Sequence, residues 1–148
     1  MALNKDVARL AKGKNRATVV TLMPDGQPQA LPTWIDHDGE HLLVNTEPQR
    51  QRAKNVGKDS RVTILIQAPN DGWDWAEIRG HVVGTIGGRQ AREHIDELSQ
   101  RYNGYDYDRA IGPGGRIILV IAADRVNTPR TLGLLRRELH ATAGAVSG

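Results

Sequence analysis

The segment from Asn45 to Asn55 brings together, within eleven residues, several groups that bind anions. It starts with Thr46 at the end of a predicted strand and continues into a predicted helix with three basic side chains, Arg50, Arg52 and Lys54. The start of a helix presents unpaired backbone N–H groups and a partial positive charge. A threonine hydroxyl can donate a hydrogen bond, and an arginine guanidinium can bind phosphate through two parallel bonds. The segment therefore predicts a site for a phosphate group.

The arrangement of these basic side chains depends on where the helix begins. A helix with Pro48 in its first turn and Gly57 at its close would place Arg50 and Lys54, four residues apart, on one face. Arg52 would then point elsewhere, so one phosphate would be met from one side. A solvated basic helix without a ligand is the alternative interpretation of the same charge run.

The composition narrows the possible chemistry. The 148 residues include no cysteine, which excludes disulfides, thiolate metal sites and cysteine nucleophiles and fits a reducing cytosol. The net charge of +3 is too small to indicate nucleic-acid binding by itself. The first residues are charged throughout, unlike a secretory signal, and no stretch approaches the roughly 20 apolar residues of a membrane span. We therefore expect a soluble, cytoplasmic protein.

Other catalytic patterns are weak in this sequence. The histidines show no spacing typical of a metal site, so no metal is expected. No serine lies in a G-x-S-x-G pattern, and the glycine-rich stretch 112–115 lacks the Lys-Ser/Thr of a phosphate loop, so we expect a turn there. Three tyrosines lie in or beside the loop that precedes this glycine-rich stretch, namely Tyr102, Tyr105 and Tyr107. One of them could donate a proton to a substrate, or they could be structural. No catalytic residue is identified.

The elements that must position the anion-binding segment are mainly strands. Six strands are predicted, over 17–23, 29–35, 41–45, 61–67, 73–86 and 116–122. Short helices are predicted over 6–12, 47–57 and 89–102, and the last should bury one face through Ala91, Ile95 and Leu98. Gly80 inside the long fifth strand predicts a bulge or a corner, and Trp73 and Trp75 should share one face of that strand. A further edge strand is expected over 126–131 and a flexible tail over 136–148.

These elements predict a single mainly β domain over residues 1–148. The strands follow one another in short hairpins with only brief helices between them. A parallel sheet would need a helix after every strand, so the pattern favours an antiparallel barrel.

Three motifs form a family pattern, and the resemblance that they carry spans roughly residues 3–131. The first is Asn45-Thr46 followed by Arg50, Arg52, Asn55 and the run Asp59-Ser60-Arg61-Val62. The second is the hairpin 26–34, similar to G-x-P-x-x-x-P-x-W, and the third is Glu77-Ile78-Arg79-Gly80. Together they resemble the pyridoxamine 5'-phosphate oxidase-like split-barrel proteins. More narrowly, they are similar to the flavin/deazaflavin-dependent oxidoreductases of actinobacteria.

The resemblance implies a six-stranded antiparallel split β-barrel that forms a homodimer with the cofactor at the subunit interface. Family members bind FMN or the deazaflavin coenzyme F420, and some bind haem. The resemblance also implies roles for particular residues. The phosphate would be held by Thr46, Arg50 and Arg52, and the ring and ribityl chain would be bordered by Leu31, Pro32, Thr33, Trp34 and Asn55. The second subunit would contribute from the region that begins at Trp73, although packing is the alternative role of that tryptophan.

The leading functional hypothesis is an F420-dependent oxidoreductase that transfers a hydride to a small organic acceptor. The acidic oligoglutamate tail of F420 could be received by Lys54, Lys58 and Arg61, which favours F420 over FMN. An FMN-binding oxidoreductase on the same barrel is one alternative. A non-catalytic haem-binding protein would require His37, His41 or His81 in the pocket. A nucleic-acid binder would use the basic stripe 50–61, but few aromatic residues interleave it.

Overall fold

The computed structural model describes residues 1–134 as three helices and a seven-stranded sheet. The helices are α1 Lys5–Lys12, α2 Gln51–Lys58 and α3 Gly88–Asn103. The strands are β1 Ala17–Leu22, β2 Pro28–Thr33, β3 Asp36–His37, β4 Leu42–Thr46, β5 Arg61–Gln67, β6 Trp75–Ile86 and β7 Ile117–Asn127. The predicted tail over 136–148 lies outside the described residues.

The strands form one curled antiparallel sheet in the order β2-β1-β5-β6-β7-β4-β3. Its two outermost strands, β2 and β3, are joined by Trp34 and Ile35 alone. Because so short a connection spans no more than about 11 Å, the two ends of the sheet must lie close together. The predicted antiparallel split barrel is confirmed. It has seven strands rather than six because Asp36 and His37, which lie between two of the predicted strands, pair with Leu43 and Leu42 as an additional short strand.

The predicted edge strand over 126–131 is wrong, because Val126 and Asn127 continue the central strand β7. Val126 pairs with Ile78 of β6, beyond a shift in register that lies next to Gly80. The predicted bulge at Gly80 is therefore confirmed. A Cβ atom at Gly80 would overlap the carbonyl oxygen of Ala122, so only glycine allows this close approach of the two strands.

The fifth of the predicted strands begins two residues later than expected, at Trp75. Trp73 instead lies in the turn before it, where its backbone N–H donates to the Asp71 carboxylate at 2.9 Å, and its side chain is 44% exposed. The expectation that Trp73 and Trp75 share a strand face is therefore wrong. The physical reason is the aspartate-led turn, which competes with strand pairing for the backbone.

The core inside the curled sheet is aliphatic, as the absence of phenylalanine requires. Isoleucines from neighbouring strands are fully buried there, including Ile64, Ile66 and Ile78. Burying each such side chain contributes about 1.5–3 kcal/mol. Helix α1 closes one end of the core through Val7 and Leu10. Helix α3 buries the predicted face, with Ala91, Ile95 and Leu98 inside, and lies near β4 and β7.

Candidate functional site

A cavity of about 440 Å³ opens beside α2 and α3, at one end of the sheet. One wall is apolar and consists of the end of β2 and the inner face of α3 (Leu31, Pro32, Trp34, Ile95, Leu98). The other wall is polar and includes Thr46 at the end of β4 and the first residues of α2. The cavity therefore combines a surface suited to a flat organic ring with one suited to an anion.

Antiparallel pairing explains why residues distant in sequence meet at this cavity. Thr46 at the end of β4 pairs with Ile117 at the start of β7, so Arg116 lies beside the end of β4. In the same way, Ala17 at the start of β1 pairs with Thr33 at the end of β2, which places Arg16 near Trp34. Each of these strand pairs thus places one arginine on the cavity lining.

The cavity is strongly basic. Five arginines line it, while no aspartate or glutamate among residues 1–134 does (Arg16, Arg50, Arg52, Arg109, Arg116). Within that part of the chain, Arg16, Arg52 and Arg109 form no ion pair. Burial lowers the pKa of Arg52, and repulsion from Arg50 and Arg116 lowers it further. An anion would relieve this repulsion.

Glu47 lies behind the arginines and is 6% exposed. Its Oε1 accepts a hydrogen bond from the Gly112 backbone N–H at 3.0 Å, and its Oε2 lies 3.4 Å from Arg50 Nε. The bond from Gly112, together with Arg116 and Arg50, outweighs burial and lowers the pKa of Glu47. Its single negative charge is thus shared between two arginines, which leaves the cavity positive.

The start of α2 differs from the prediction and changes which basic side chains share the site. The helix begins at Gln51 and not near Pro48, and Arg50 precedes it in extended conformation, with φ −71° and ψ 148°. Arg50 and Lys54 therefore do not share a helical face. Arg50 and Arg52 line the cavity together, while Lys54 does not. Among residues 1–134, no side chain caps the first turn of α2, so its N–H groups are free to meet an anion.

Seven of the ten predicted site residues line the cavity (Leu31, Pro32, Thr33, Trp34, Thr46, Arg50, Arg52). Lys54, Asn55 and Trp73 do not. The Asn55 side chain is instead buried between α2 and β1, where it donates to Thr21 Oγ1 at 3.0 Å and accepts from Gln51 at 2.8 Å. The roles of all ten residues stay predictions.

Several lining residues escaped the sequence analysis, namely Arg16, Gln51, Arg109 and Arg116. Asn45 belonged to the anion-binding segment but was not chosen, and Ile95 and Leu98 were recognised only as a buried helical face. One signal could have revealed two of the arginines, since Arg16 and Arg116 each directly precede a strand whose antiparallel partner ends at the predicted site.

A second cavity of about 420 Å³ adjoins the first and shares four residues with it, Arg16, Trp34, Tyr107 and Arg109. Trp34 is held between two tyrosines at this junction. Its ring stacks on Tyr102 at 5.2 Å between centroids and meets Tyr107 edge-on at 6.4 Å. The second cavity lies beside the apolar wall and could admit a second small molecule.

Other kinds of site find little support within residues 1–134. None of the histidines there lines either cavity. No cluster of three or more histidine, aspartate or glutamate residues capable of holding a metal occurs in this part of the chain. Nor does any of its helices combine the length and the apolar character needed to cross a bilayer. The predicted turn at 112–115 is confirmed by the bond from Gly115 N–H to Gly112 O at 3.0 Å.

Comparison with solved structures shows the same fold in other proteins. An F420 reductase superposes with a TM-score of 0.73 at 24% identity, over 80% of this chain and 94% of that one. A conserved hypothetical protein of Mycobacterium tuberculosis gives 0.66 at 22% identity, over 85% and 84%. A Listeria innocua protein provisionally described as a pyridoxamine 5'-phosphate oxidase gives 0.62 at 18% identity, over 83% and 94%.

These similarities concern the fold, because all three identities are low. No curated protein matches the sequence significantly. The profile of the pyridoxamine 5'-phosphate oxidase family, however, matches residues 3–129, most of the chain and nearly all of the described elements. The antiparallel split barrel agrees with that match. The chain therefore belongs to the pyridoxamine 5'-phosphate oxidase family.

Proposed function

We propose that this protein is an F420-dependent oxidoreductase that transfers a hydride between the deazaflavin coenzyme and a small organic acceptor in the cytoplasm. The observation that carries the proposal is the cavity with five arginines on its lining and an apolar wall opposite. Five arginines around one cavity, with Glu47 as the only carboxylate within residues 1–134 that lies near two of them, repel one another unless an anion binds. A cofactor that joins a phosphate to a flat ring satisfies both walls.

The residues present fit such a cofactor. Thr46, Arg50 and Arg52 would hold its phosphate, aided by the uncapped start of α2. Trp34, Ile95 and Leu98 would border its ring. When bound in its reduced form, F420 supplies a hydride to an acceptor. The chain contributes binding, orientation and exclusion of water, which is why no catalytic triad is needed.

F420 is favoured over FMN by two observations. One structural neighbour is an F420 reductase. In addition, Lys54 and Lys58 are exposed on α2, whose first turn borders the proposed phosphate site, and form no ion pair within residues 1–134. They are available for the acidic tail of F420, whereas Arg61 is already paired with Asp59 at 2.7 Å. FMN remains the second candidate, because it shares the phosphate and the ring.

The working form is proposed to be a homodimer with a cofactor at each of two equivalent interface sites. Leu31 on the edge strand β2 is 42% exposed at the cavity, and Trp73 is 44% exposed on the turn before β6. A second subunit would cover both apolar side chains. Sedimentation of the purified protein at micromolar concentration tests this proposal, and a species of 16.3 kDa alone would exclude the shared site.

Titration of tryptophan fluorescence with F420, and in parallel with FMN, tests the proposed function. Trp34 lines the cavity and should report binding, so Trp34→Phe should remove most of the change in fluorescence. Micromolar saturation by F420 with much weaker binding of FMN supports the proposal. Tight binding of FMN alone would assign the protein to the flavoenzymes, and binding of neither would refute the oxidoreductase.

The double variant Arg50→Ala/Arg52→Ala tests the phosphate site. Each arginine–phosphate bond is worth about 1.5–3 kcal/mol, so we expect the dissociation constant for F420 to rise at least 100-fold. The matched control Lys5→Ala/Arg89→Ala removes two positive charges that do not line the cavity. An unchanged constant in the first variant, or an equal rise in both, would show that the phosphate binds elsewhere.

The non-catalytic alternatives have less support. A haem-binding protein would need a histidine in a cavity, and none of those in residues 1–134 lies there. A Soret band after haem addition that one histidine substitution abolishes would revive it. A nucleic-acid binder predicts a steep dependence of DNA affinity on salt. Arg116 is 7% exposed within the cavity lining and would contribute little to binding a duplex.

A further inference from the structure

A chain of buried polar side chains runs from the core to the cavity. It begins at Asp36 of β3, which is 5% exposed, continues through His94 of α3 and Asn45 of β4, and ends at Arg116. The successive distances are 2.9 Å from His94 Nε2 to Asp36 Oδ2, 3.1 Å from Asn45 Nδ2 to His94 Nδ1, and 2.8 Å from Arg116 Nε to Asn45 Oδ1. Three distant parts of the sequence, the β3–β4 region, α3 and the start of β7, are thereby linked in one line.

The partners determine the direction of every hydrogen bond in this chain. Arg116 can only donate, so the Asn45 oxygen must face it. The Asn45 amide nitrogen then donates to the carbonyl oxygen of Ala91 and to His94 Nδ1. His94 must therefore carry its proton on Nε2, from which it donates to Asp36. The orientation of Asn45, and with it the acceptor offered to Arg116, is set by His94.

The first member of the chain is held firmly in place. Lys12 and Arg101 each donate to Asp36 Oδ1 at 2.7 Å. Burial raises the pKa of Asp36, but the hydrogen bonds from His94, Lys12 and Arg101 outweigh it and hold the pKa well below its usual value. Asp36 is thus a fixed carboxylate from which the rest of the chain is oriented.

The last member of the chain has unused donors. Arg116 is 7% exposed and lines the cavity. Its Nε–H is bonded to Asn45, a contact with the Tyr107 hydroxyl offsets part of the lowering of its pKa by burial, and the nearest acidic oxygen, on Glu47, lies 3.9 Å away. Its guanidinium lies 5.2 Å from the centre of the Tyr107 ring, which fixes its plane. A nearly buried guanidinium on the cavity lining, with no carboxylate of residues 1–134 at hydrogen-bond distance, is prepared for an oxyanion.

We propose that Arg116 binds the phosphate of the cofactor together with Arg50 and Arg52, and that Asp36, His94 and Asn45 are positioning residues that aim its guanidinium into the cavity. The inference rests on the proposed function, since it names a further ligand of the same phosphate. Arg116 supplies the two parallel N–H groups that phosphate recognition by arginine uses. Arg50, in contrast, is exposed and free to adapt.

The competing explanation is that these hydrogen-bonded side chains have a purely structural role and tie α3 to β3 and β4. The two roles differ in their effect on ligands with and without a phosphate. Loss of structure weakens the binding of both kinds of ligand, whereas loss of Arg116 positioning weakens only the binding of the phosphorylated one. The informative quantity is therefore the ratio of dissociation constants for F420 and its phosphate-free deazariboflavin core, or for riboflavin and FMN.

A double-mutant cycle tests the inference. Arg116→Ala and Asn45→Ala should each weaken binding of the phosphorylated ligand about 10- to 100-fold and leave the phosphate-free ligand within about twofold. Asn45→Ala should add little in the Arg116→Ala background, because Asn45 acts through Arg116. His94→Leu should resemble Asn45→Ala. His94→Gln, which can accept from Asn45 and donate to Asp36, should restore the wild-type ratio.

Three results would overturn the inference. Arg116→Ala could leave the ratio unchanged, the effects of Asn45→Ala and Arg116→Ala could add fully, or His94→Gln could be as defective as His94→Leu in a folded protein. Either of the first two results would overturn the inference even if His94→Leu does not fold.

Failure of the proposed function gives a different result. If the wild-type protein binds neither F420 nor FMN, titration with inorganic pyrophosphate, followed by the NMR signal of the Arg116 Nε–H group, decides the inference instead. A shift that Asn45→Ala abolishes supports an anion site built by the chain, and no shift refutes it.

Discussion

Without ligand, the variant Arg52→Met should be more stable than the wild type. With the cofactor bound, it should be less stable than the wild type. Arg52 is the second residue of α2 and faces the positive end of the helix dipole. It is also desolvated and repelled by Arg50 and Arg116. Methionine keeps an unbranched side chain of similar helix propensity and removes the charge together with the guanidinium hydrogen-bond donors.

The expected gain follows from these two contributions. A cation at a helix N-terminus costs about 0.3–1 kcal/mol, and each like-charged neighbour costs about 0.2–0.5 kcal/mol. We therefore expect Arg52→Met to raise the free energy of unfolding by about 1 kcal/mol in an anion-poor buffer. For a chain of this length, that corresponds to an increase in Tm of roughly 2–4 °C.

Bound cofactor should make the wild type more stable than Arg52→Met. At a hundred times its dissociation constant, a ligand stabilises the wild type by about 2.7 kcal/mol. Arg52→Met should bind the phosphate about 10- to 100-fold more weakly and gain only about 1 kcal/mol at the same concentration. The wild type should then be the more stable protein. Thermal unfolding with and without F420 measures both differences.

Arg89→Met is the matched control, since Arg89 is the second residue of α3 but lies outside the cavity and pairs with Glu93 at 3.0 Å. Its Tm should change little, and F420 should stabilise it as much as the wild type. The explanation is refuted if Arg52→Met lowers Tm by several degrees without ligand, because Arg52 would then already have a stabilising partner. Equal stabilisation of Arg52→Met and wild type by F420 would show that Arg52 does not meet the cofactor.

Three further predictions concern the framework of the site. Gly80→Ala should lower the free energy of unfolding, measured in urea, by about 2 kcal/mol, because its Cβ would overlap the Ala122 carbonyl. Gly84 on the same strand has open space around it, so Gly84→Ala should lower this free energy much less. Equal losses in the two variants would contradict the bulge explanation. The free energy of unfolding should fall as the pH drops below about 4. The pKa of Asp36 is lower in the folded than in the unfolded protein, so the Asp36 carboxylate stabilises the fold fully above its unfolded pKa, and this stabilisation is lost as the carboxylate becomes protonated at lower pH. In Asp36→Asn that dependence on pH should flatten, and an unchanged slope would assign it to other carboxylates. Asn55→Ala should lower stability by about 1–3 kcal/mol with the F420 dissociation constant unchanged; weaker binding at unchanged stability would place Asn55 in the site after all.

The strands and helices were largely predictable because their signals are local. The run of β-branched residues over 61–67 became β5 with the predicted bounds, and the spacing of Ala91, Ile95 and Leu98 located the buried face of α3. Errors arose where short-range polar contacts compete with the pattern. The turn led by Asp71 removed Trp73 from β6, and the extended backbone of Arg50 delayed the start of α2.

The candidate site was predictable only where its residues are close in sequence. Thr46, Arg50 and Arg52 lie within seven residues, so one motif revealed them together. Arg16 and Arg116 join them from the starts of two strands that are a hundred residues apart. Neither stands out in the sequence, because an arginine before a strand is an ordinary surface residue until its neighbours are known.

The sequence by itself determined the antiparallel barrel, the family motifs and one half of an anion site, because hydrophobic alternation, turn residues and a strand-to-helix motif act over short distances. The tertiary structure decided the other half. It alone aligned the start of β7 with the end of β4, placed His94 of α3 between Asp36 and Asn45, and surrounded one cavity with five arginines. The physical reason is that strand register and the curl of a sheet depend on the packing of the whole core, which no local stretch of residues specifies.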